Sequence, residues 1–440
     1  MNPGTRREAV VSPPAGAVSR LPGRARAAVA AVRAVNRVSK STGLGSGTVI
    51  GGRAGLAIDA GLLARLAEHR QLALVSGTNG KTTTTGLLAA ALSAADDRPV
   101  LTNDTGANMP AGHVAALAAD GSATRAVLEV DEGYLPALMA ELAPAALVLL
   151  NLSRDQLDRT AEVRMTANRW RDALGGTGAV VVANADDPLV AWGAGSAGTV
   201  RWVAGGLGWR ADAVGCPACQ GRIEFEPLPS TAWSCSCGFA RPAPVAWLER
   251  RAAGVEGVLA DGRHLPVAPG VPGHFNLANA LMAAVTAEAL GVDLGAALAA
   301  MARVVEVAGR FRRLVLDGVV ARLMLAKNPA GWSELLEMVC PGDAPVVVGI
   351  NARVADGRDP SWLWDVRFEQ LAGRPVVATG ERCRDLSVRF RYAGVDHQVV
   401  VDPRHALVVA GRQGTAEPTG EMTVDFIGNY TAFYDLAGRR

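Results

Sequence analysis

Residues 72–85 read Leu-Ala-Leu-Val-Ser-Gly-Thr-Asn-Gly-Lys-Thr-Thr-Thr-Thr, and no other stretch narrows the choice of fold so far. The apolar run 72–75 has the length of a buried strand, Gly77 and Gly80 make a turn, and the apolar run 87–92 predicts a helix. Glycines let a backbone turn tightly and bring its N–H groups up to an anion. The helix N-terminus adds unpaired donors, and Lys81 adds a full positive charge. Thr82 follows the lysine, where a hydroxyl ligates Mg²⁺. The expected ATP and magnesium site is therefore Gly77, Thr78, Asn79, Gly80, Lys81, Thr82 and Thr83. Only two residues separate the glycines, against four in the general P-loop pattern.

A chain of 440 residues is too long for one core and implies two or three domains. No apolar run reaches the roughly 20 residues of a membrane helix, and the arginine-rich start lacks an apolar core, so neither anchor nor signal peptide is expected. The expected compartment is the cytoplasm. A net charge of +2 argues against a broad nucleic-acid footprint. In residues 1–40, Arg6, Arg7, Arg20, Arg24, Arg26, Arg33, Arg37 and Lys40 face the single acid Glu8, which reads as a basic, disordered extension. Residues 27–38 suit a basic helix that touches the inner face of a membrane, although a solvated tail is the simpler reading. Residues 43–55 read as a glycine-rich loop, and 60–69 as a helix.

Strands at 100–102, 126–130, 145–150 and 178–182 alternate with helices, as in a doubly wound, largely parallel sheet. Several run into polar loops, the usual ligand-facing edge: Asn103-Asp-Thr-Gly106, Asn151-Leu-Ser-Arg-Asp-Gln156 and Asn184-Ala-Asp-Asp-Pro188. Glu129 closes its strand and is followed by Asp131 and Glu132. A carboxylate there is the second magnesium contact a P-loop needs, and Glu129 within an apolar run would be costly without such a partner.

Cys216-Pro-Ala-Cys219 and Cys235-Ser-Cys237 interrupt this pattern. Two close pairs of thiolates close a tetrahedral site, so an insertion at about 212–242 is expected to fold around a structural Zn²⁺. Cys340 and Cys383 stand apart and read as core residues. A new α/β unit follows, with strands at 319–325, 344–350, near Val376 and near Val408. A loop at 351–365 carries three aspartates and two tryptophans.

The phrase Ser76-Gly-Thr-Asn-Gly-Lys-Thr-Thr83 resembles the shortened P-loop of the Mur ligases, which build peptidoglycan stem peptides with ATP. Gly273-His-Phe-Asn276-Leu-Ala-Asn279 and Gly309-Arg310 resemble further motifs of that family, and imply that Asn276, Asn279 and Arg310 face the nucleotide. The family's histidine for a second metal is replaced by Gln156, a far weaker ligand. The C-terminal third departs from the amino-acid-adding ligases. Its phrases Leu325-Ala-Lys-Asn-Pro-Ala-Gly331, Asp356-Gly-Arg-Asp-Pro-Ser-Trp362 and Asn429-Tyr-Thr431, with the cysteine insertion, resemble the MurT family, the synthetase subunits of lipid II isoglutaminyl synthase.

The resemblance implies an α/β fold of three parts: an extension at 1–40, a Mur-ligase-like P-loop ATPase domain at 41–315 with a four-cysteine zinc-ribbon insertion, and a smaller Rossmann-like domain at 316–440. It also implies amidation of the D-glutamate α-carboxylate of lipid II to D-isoglutamine through an acyl phosphate. Lys81 and Glu129 would act at the phosphate, and ammonia would come from a GatD-type glutaminase subunit. No cysteine of this chain sits on the tight glycine turn that a glutaminase nucleophile requires. Asp356 and Asp359 both match the aspartate that completes the partner's Cys-His triad, with Asp359 preferred. The other readings are a self-sufficient ligase that adds an amino acid to a carboxylate, and a nucleotide-binding scaffold.

Overall fold

The computed structural model describes residues 21–41, 48–95, 98–103, 107–154, 160–227, 230–252, 254–305, 310–414 and 422–438. Eleven strands precede residue 266 among these: β1 Gln71–Ser76, β2 Val100–Thr102, β3 Arg125–Val130, β4 Ala146–Leu149, β5 Val180–Asn184, β6 Val200–Ala204, β7 Ile223–Phe225, β8 Trp233–Cys235, β9 Ala246–Arg251, β10 Gly254–Leu259 and β11 His264–Leu265. Nine of them form one sheet in the order β11-β10-β9-β6-β5-β4-β1-β3-β2. The order reverses about β1, whose neighbours β3 and β4 both run parallel to it. Crossover helices therefore cover both faces, as the doubly wound pattern predicts.

The two-residue strand period divides β1 between two cores. Ala73 and Val75 pack on one face with the helices Lys81–Ser93 and His274–Ala289, while Leu72 and Leu74 pack on the other. Each such leucine, fully buried, contributes about 1.5–3 kcal/mol. A second sheet holds β12 Phe311–Leu316, β13 Val319–Leu325, β14 Val346–Gly349, β15 Val376–Thr379, β16 His397–Val399 and β17 Met422–Gly428, in the order β12-β13-β17-β14-β15-β16. All its pairs are parallel except β12 with β13.

Four expectations need correction. Much of the basic extension is ordered: the helix Gly23–Ser41 contains the expected helix at 27–38, and its Ala25, Ala28 and Val32 are fully buried in the core that holds Leu72 and Leu74. Residues 1–20 lie outside the described residues. The supposed glycine loop at 43–55 is helical from Thr48, within the helix Thr48–Ile58, because Gly51, Gly52 and Gly55 are contact points between helices rather than turns. A Cβ on Gly52 would stand 1.8 Å from the Ala111 carbonyl oxygen, and one on Gly51 would stand 2.0 Å from the Asn36 side chain. The supposed strand near Val408 is the helix Pro403–Gly411, capped by Asp402, which accepts a bond from His405 N at 2.7 Å. The second sheet also starts earlier than residue 316, with β12 at Phe311.

Candidate active site

The turn after β1 is held by the polar loop after β4. Asn151 Oδ1 accepts a bond from Asn79 N at 2.9 Å, and Asn151 Nδ2 donates to Asn79 O at 3.0 Å. Thr78 Oγ1 donates to Ser153 O at 3.1 Å and accepts from Ser153 N at 3.0 Å. Leu152 N, between them, donates to the fully enclosed Asp187 at 2.8 Å, and burial pushes that carboxyl up to about 6. Gly80 adopts a left-handed conformation at φ 84° and caps the helix Lys81–Ser93 without a side-chain bond. A Cβ there would be strained and would meet Asn279 Oδ1 at 2.9 Å.

Lys81 is buried and folds back over this turn. Its Nζ lies 2.5 Å from Gly77 O, 3.2 Å from Thr78 O and 3.0 Å from Glu132 Oε2. Thr82 Oγ1 donates to Glu129 Oε2 at 2.7 Å. Cis oxygens of an octahedral Mg²⁺ shell stand about 2.9 Å apart, so this pair fits two positions on one magnesium ion.

Glu129 is clamped at its backbone. Asn103 Oδ1 accepts from Glu129 N at 2.7 Å, Asn103 Nδ2 donates to Glu129 O at 2.8 Å, and His113 Nε2 lies 2.8 Å from the same oxygen. Burial lowers the His113 pKa, which keeps the imidazole neutral. The nitrogen facing the carbonyl is then the one that carries the proton.

A cleft opens beside this turn. Asn79, Gly80, Thr83, Phe275 and Asn276 line it from the first unit, and Arg310, Met324, Lys327, Gly331, Glu334, Leu335 and Met338 from the second. Of the expected nucleotide residues, Asn276 and Arg310 line the same cleft as Asn79 and Gly80, and the Asn279 side chain stands against Gly80. Asn279 Nδ2 donates to Asn276 Oδ1 at 3.1 Å. Burial, then the like charge of Glu337, pushes Glu334 up to about 8.

Sequence reasoning missed Glu132 as the partner of Lys81, the clamp from Asn103 and His113, and Glu334. A lone histidine in Gly-His-Val, or a glutamate one turn into a helix, carries no pattern that distinguishes it. Gln156 lies outside the described residues.

The two candidate aspartates stand elsewhere, after β14, and differ in setting. Asp356 turns inward: Oδ1 accepts from Thr431 N at 2.8 Å, Oδ2 from Thr431 Oγ1 at 2.5 Å, and Arg353 N adds a bond at 3.2 Å. Asp359 is exposed and accepts a bond from Ser361 N at 2.9 Å; that N–H holds its pKa below the usual carboxylate value. In the cysteine insertion, Cys216 and Cys237 sulfurs lie 3.8 Å apart, and those of Cys219 and Cys235 lie 3.6 Å apart. All four gather within 4.8 Å of one another. Tetrahedral Zn–S bonds of about 2.3 Å require sulfurs about 3.8 Å apart, so the set fits zinc.

Two family models match the chain. The one described as Mur ligase middle domain covers residues 75–201, and the one described as MurT ligase C-terminal covers 325–433. The lipid II isoglutaminyl synthase (glutamine-hydrolyzing) subunit MurT of Streptococcus pneumoniae is 31% identical over 82% of this chain and 85% of its own length. Its namesake from Staphylococcus aureus is 29% identical over 81% and 85%. The solved pseudomurein peptide ligase type C from Methanothermus fervidus superposes with a TM-score of 0.62 at 18% identity, over 86% of this chain and 79% of that one. That likeness concerns the fold.

Proposed function

This chain belongs to the MurT family of ATP-dependent, Mur-ligase-like enzymes of peptidoglycan synthesis, and from that premise we propose that it amidates the D-glutamate α-carboxylate of lipid II. In this reading a carboxylate oxygen attacks the γ-phosphorus of ATP and ADP leaves. Ammonia then attacks the acyl carbon of the resulting acyl phosphate, phosphate departs, and the D-isoglutamine amide remains after loss of a proton. Thr82 and Glu129 would hold magnesium, which would neutralise charge on the phosphates. Lys81 exchanges Glu132 for the transferring phosphate, and Gly77, Thr78, Asn79, Gly80 and Thr83 cradle the chain of phosphates. Asn276, Asn279 and Arg310 orient the nucleoside side. Cys216, Cys219, Cys235 and Cys237 hold a structural zinc ion that folds the insertion.

Ammonia is supplied by a GatD-type glutaminase in a heterodimer. Asp359, exposed on its loop, orients the partner's histidine, whereas Asp356 is committed to Thr431. The enzyme works in the cytoplasm at the inner face of the membrane, where its lipid-linked substrate stands. The described residues contain no helix long and apolar enough to cross a membrane.

The observation that carries this reading is the Thr82–Glu129 pair beside buried Lys81, at the mouth of a cleft closed by the MurT-type second sheet. The test is an amidation assay with lipid II and ATP, read by mass spectrometry. Glutamine should support product only with the glutaminase co-expressed, and ammonium should support it with this chain alone. ATP consumption only when an amino acid is added, with no amide in any arm, would sink the proposal in favour of a self-sufficient ligase.

A further inference from the structure

We propose that the hairpin of helices Gly23–Ser41 and Thr48–Ile58 is a docking surface for an anionic lipid bilayer, carried at the catalytic edge of the first sheet. Its purpose rests on the lipid-linked substrate proposed above, but the surface is defined by its own chemistry. Residues 1–58 hold nine arginines and lysines against Glu8 alone, while the whole chain carries only +2, so the rest of the molecule is net acidic. A solvated helix needs no such segregation.

The helix Gly23–Ser41 has two faces. Ala25, Ala28 and Val32 are fully buried, and the opposite stripe presents Arg26, Arg33 and Arg37 to solvent. Arg33 Nε is tied to Ala118 O at 2.8 Å, which leaves Arg26, Arg37 and, on the second helix, exposed Arg53 as the cations most available to a surface. The helices run antiparallel, since Gly55 abuts Val32 whereas Gly51 abuts Asn36, one turn further along. The end of the first helix and the start of the second therefore share one tip. There Val38 is 61% exposed and Ile50 58% exposed.

The tip also lies on the working side of the molecule. Gly52 touches Ala111, at the start of the helix Pro110–Ala119, and the preceding loop accepts a bond from Asp131 N at Asn108 O, 3.1 Å away, two residues beyond Glu129. The helix Pro110–Ala119 contains no acid; Asp59 is buried against Arg65 at the far end of the hairpin, and Asp120 lies at the far end of that helix. Arginines combined with exposed aliphatic side chains fit an anionic headgroup layer above acyl chains. A free phosphate would need a recessed cradle of donors, and a nucleic acid, whose backbone the arginines alone could hold, would leave the exposed Val38 and Ile50 without a role.

The test uses the full chain with sedimentation on phosphatidylglycerol vesicles and on neutral phosphatidylcholine vesicles. We expect at least tenfold preference for the anionic vesicles, lost at high salt. Each basic residue near such a surface is worth about a factor of five. The triple variant Arg26→Glu, Arg37→Glu, Arg53→Glu should thus lower binding about a hundredfold, and Val38→Ser with Ile50→Ser should lower it at least several-fold. Circular dichroism checks the fold of each variant. Equal binding to both vesicles, or unchanged binding in the triple variant, overturns the proposal. So does loss of binding on removal of residues 1–20 when the charge reversal has no effect. Amidation of a water-soluble stem peptide should be the same in wild type and variants, while amidation of bilayer-embedded substrate should fall in the variants. If no variant amidates the soluble peptide, the function proposal fails and the vesicle result still judges the surface.

Discussion

Lys81 is ion-paired with Glu132 at 3.0 Å, inside the turn whose carbonyl oxygens it also holds. A phosphate must take that side chain from a carboxylate, so the lysine is already aimed before any nucleotide arrives. Glu132→Gln should tighten ATP binding several-fold by calorimetry, because the competitor is removed. Lys81→Ala should lower amidation by about 10²–10³-fold, the usual cost of one transition-state donor. Weaker binding in the glutamine variant would show that Glu132 serves the bound state as well.

Thr82 and Glu129 should behave as one unit toward magnesium. Glu129→Gln is expected to raise the magnesium concentration needed for half-maximal ATP turnover by at least tenfold, and Thr82→Ala to act in the same direction. The double variant should cost less than the product of the two single effects, since both act on one ion.

The two loop aspartates separate by readout. Asp359→Asn should abolish glutamine-driven amidation and leave the ammonium-driven route intact. Asp356→Ala removes both acceptors for Thr431 and should destabilise the second unit by about 1–3 kcal/mol, weakening both routes together. An Asp359 variant impaired with ammonium would end its assignment to the partner.

Glu334 gives a pH signature. With its pKa near 8, the carboxyl is uncharged at pH 7 and gains a negative charge as pH rises through 8. A negative ligand in the same cleft is then repelled, so the dissociation constant for ATP should rise by about fivefold from pH 7 to pH 9. Glu334→Gln, measured beside it at constant magnesium, should flatten that rise.

Zinc removal should act on the fold before it acts on chemistry. A chelator is expected to release one zinc per chain and lower the melting temperature, and Cys216→Ser should reproduce this. Trp233 Nε1 donates to Ala185 O at 3.1 Å and Arg241 pairs with Asp186 at 2.6 Å, so the insertion is anchored next to Asp187. Loss of metal should therefore also weaken ATP binding.

What was legible in the chain follows from the range of each interaction. The P-loop turn could be read because strand, glycines, lysine and threonine are consecutive, and the gathering of the cysteine pairs because their spacing suits one tetrahedral site. Asn276 and Arg310 were picked out by motif resemblance, not by physics. The Asn103–Glu129 clamp and the Lys81–Glu132 pair join residues 26 and 51 positions apart, which no local pattern encodes. The helix Thr48–Ile58 was hidden because Gly51 and Gly52 look like loop residues until Asn36 and Ala111 are seen against them. Residues 403–411 were hidden because a short apolar run has no decisive period.

The cleft takes its walls from both halves of the chain, with Asn79 and Asn276 on one side and Lys327 and Glu334 on the other. A nucleotide seated there belongs to neither half of the chain, and melting either half must release it. Heated without nucleotide, the two halves are free to unfold in separate steps. With saturating nucleotide each inherits the ligand's binding energy, and the two transitions should merge into one.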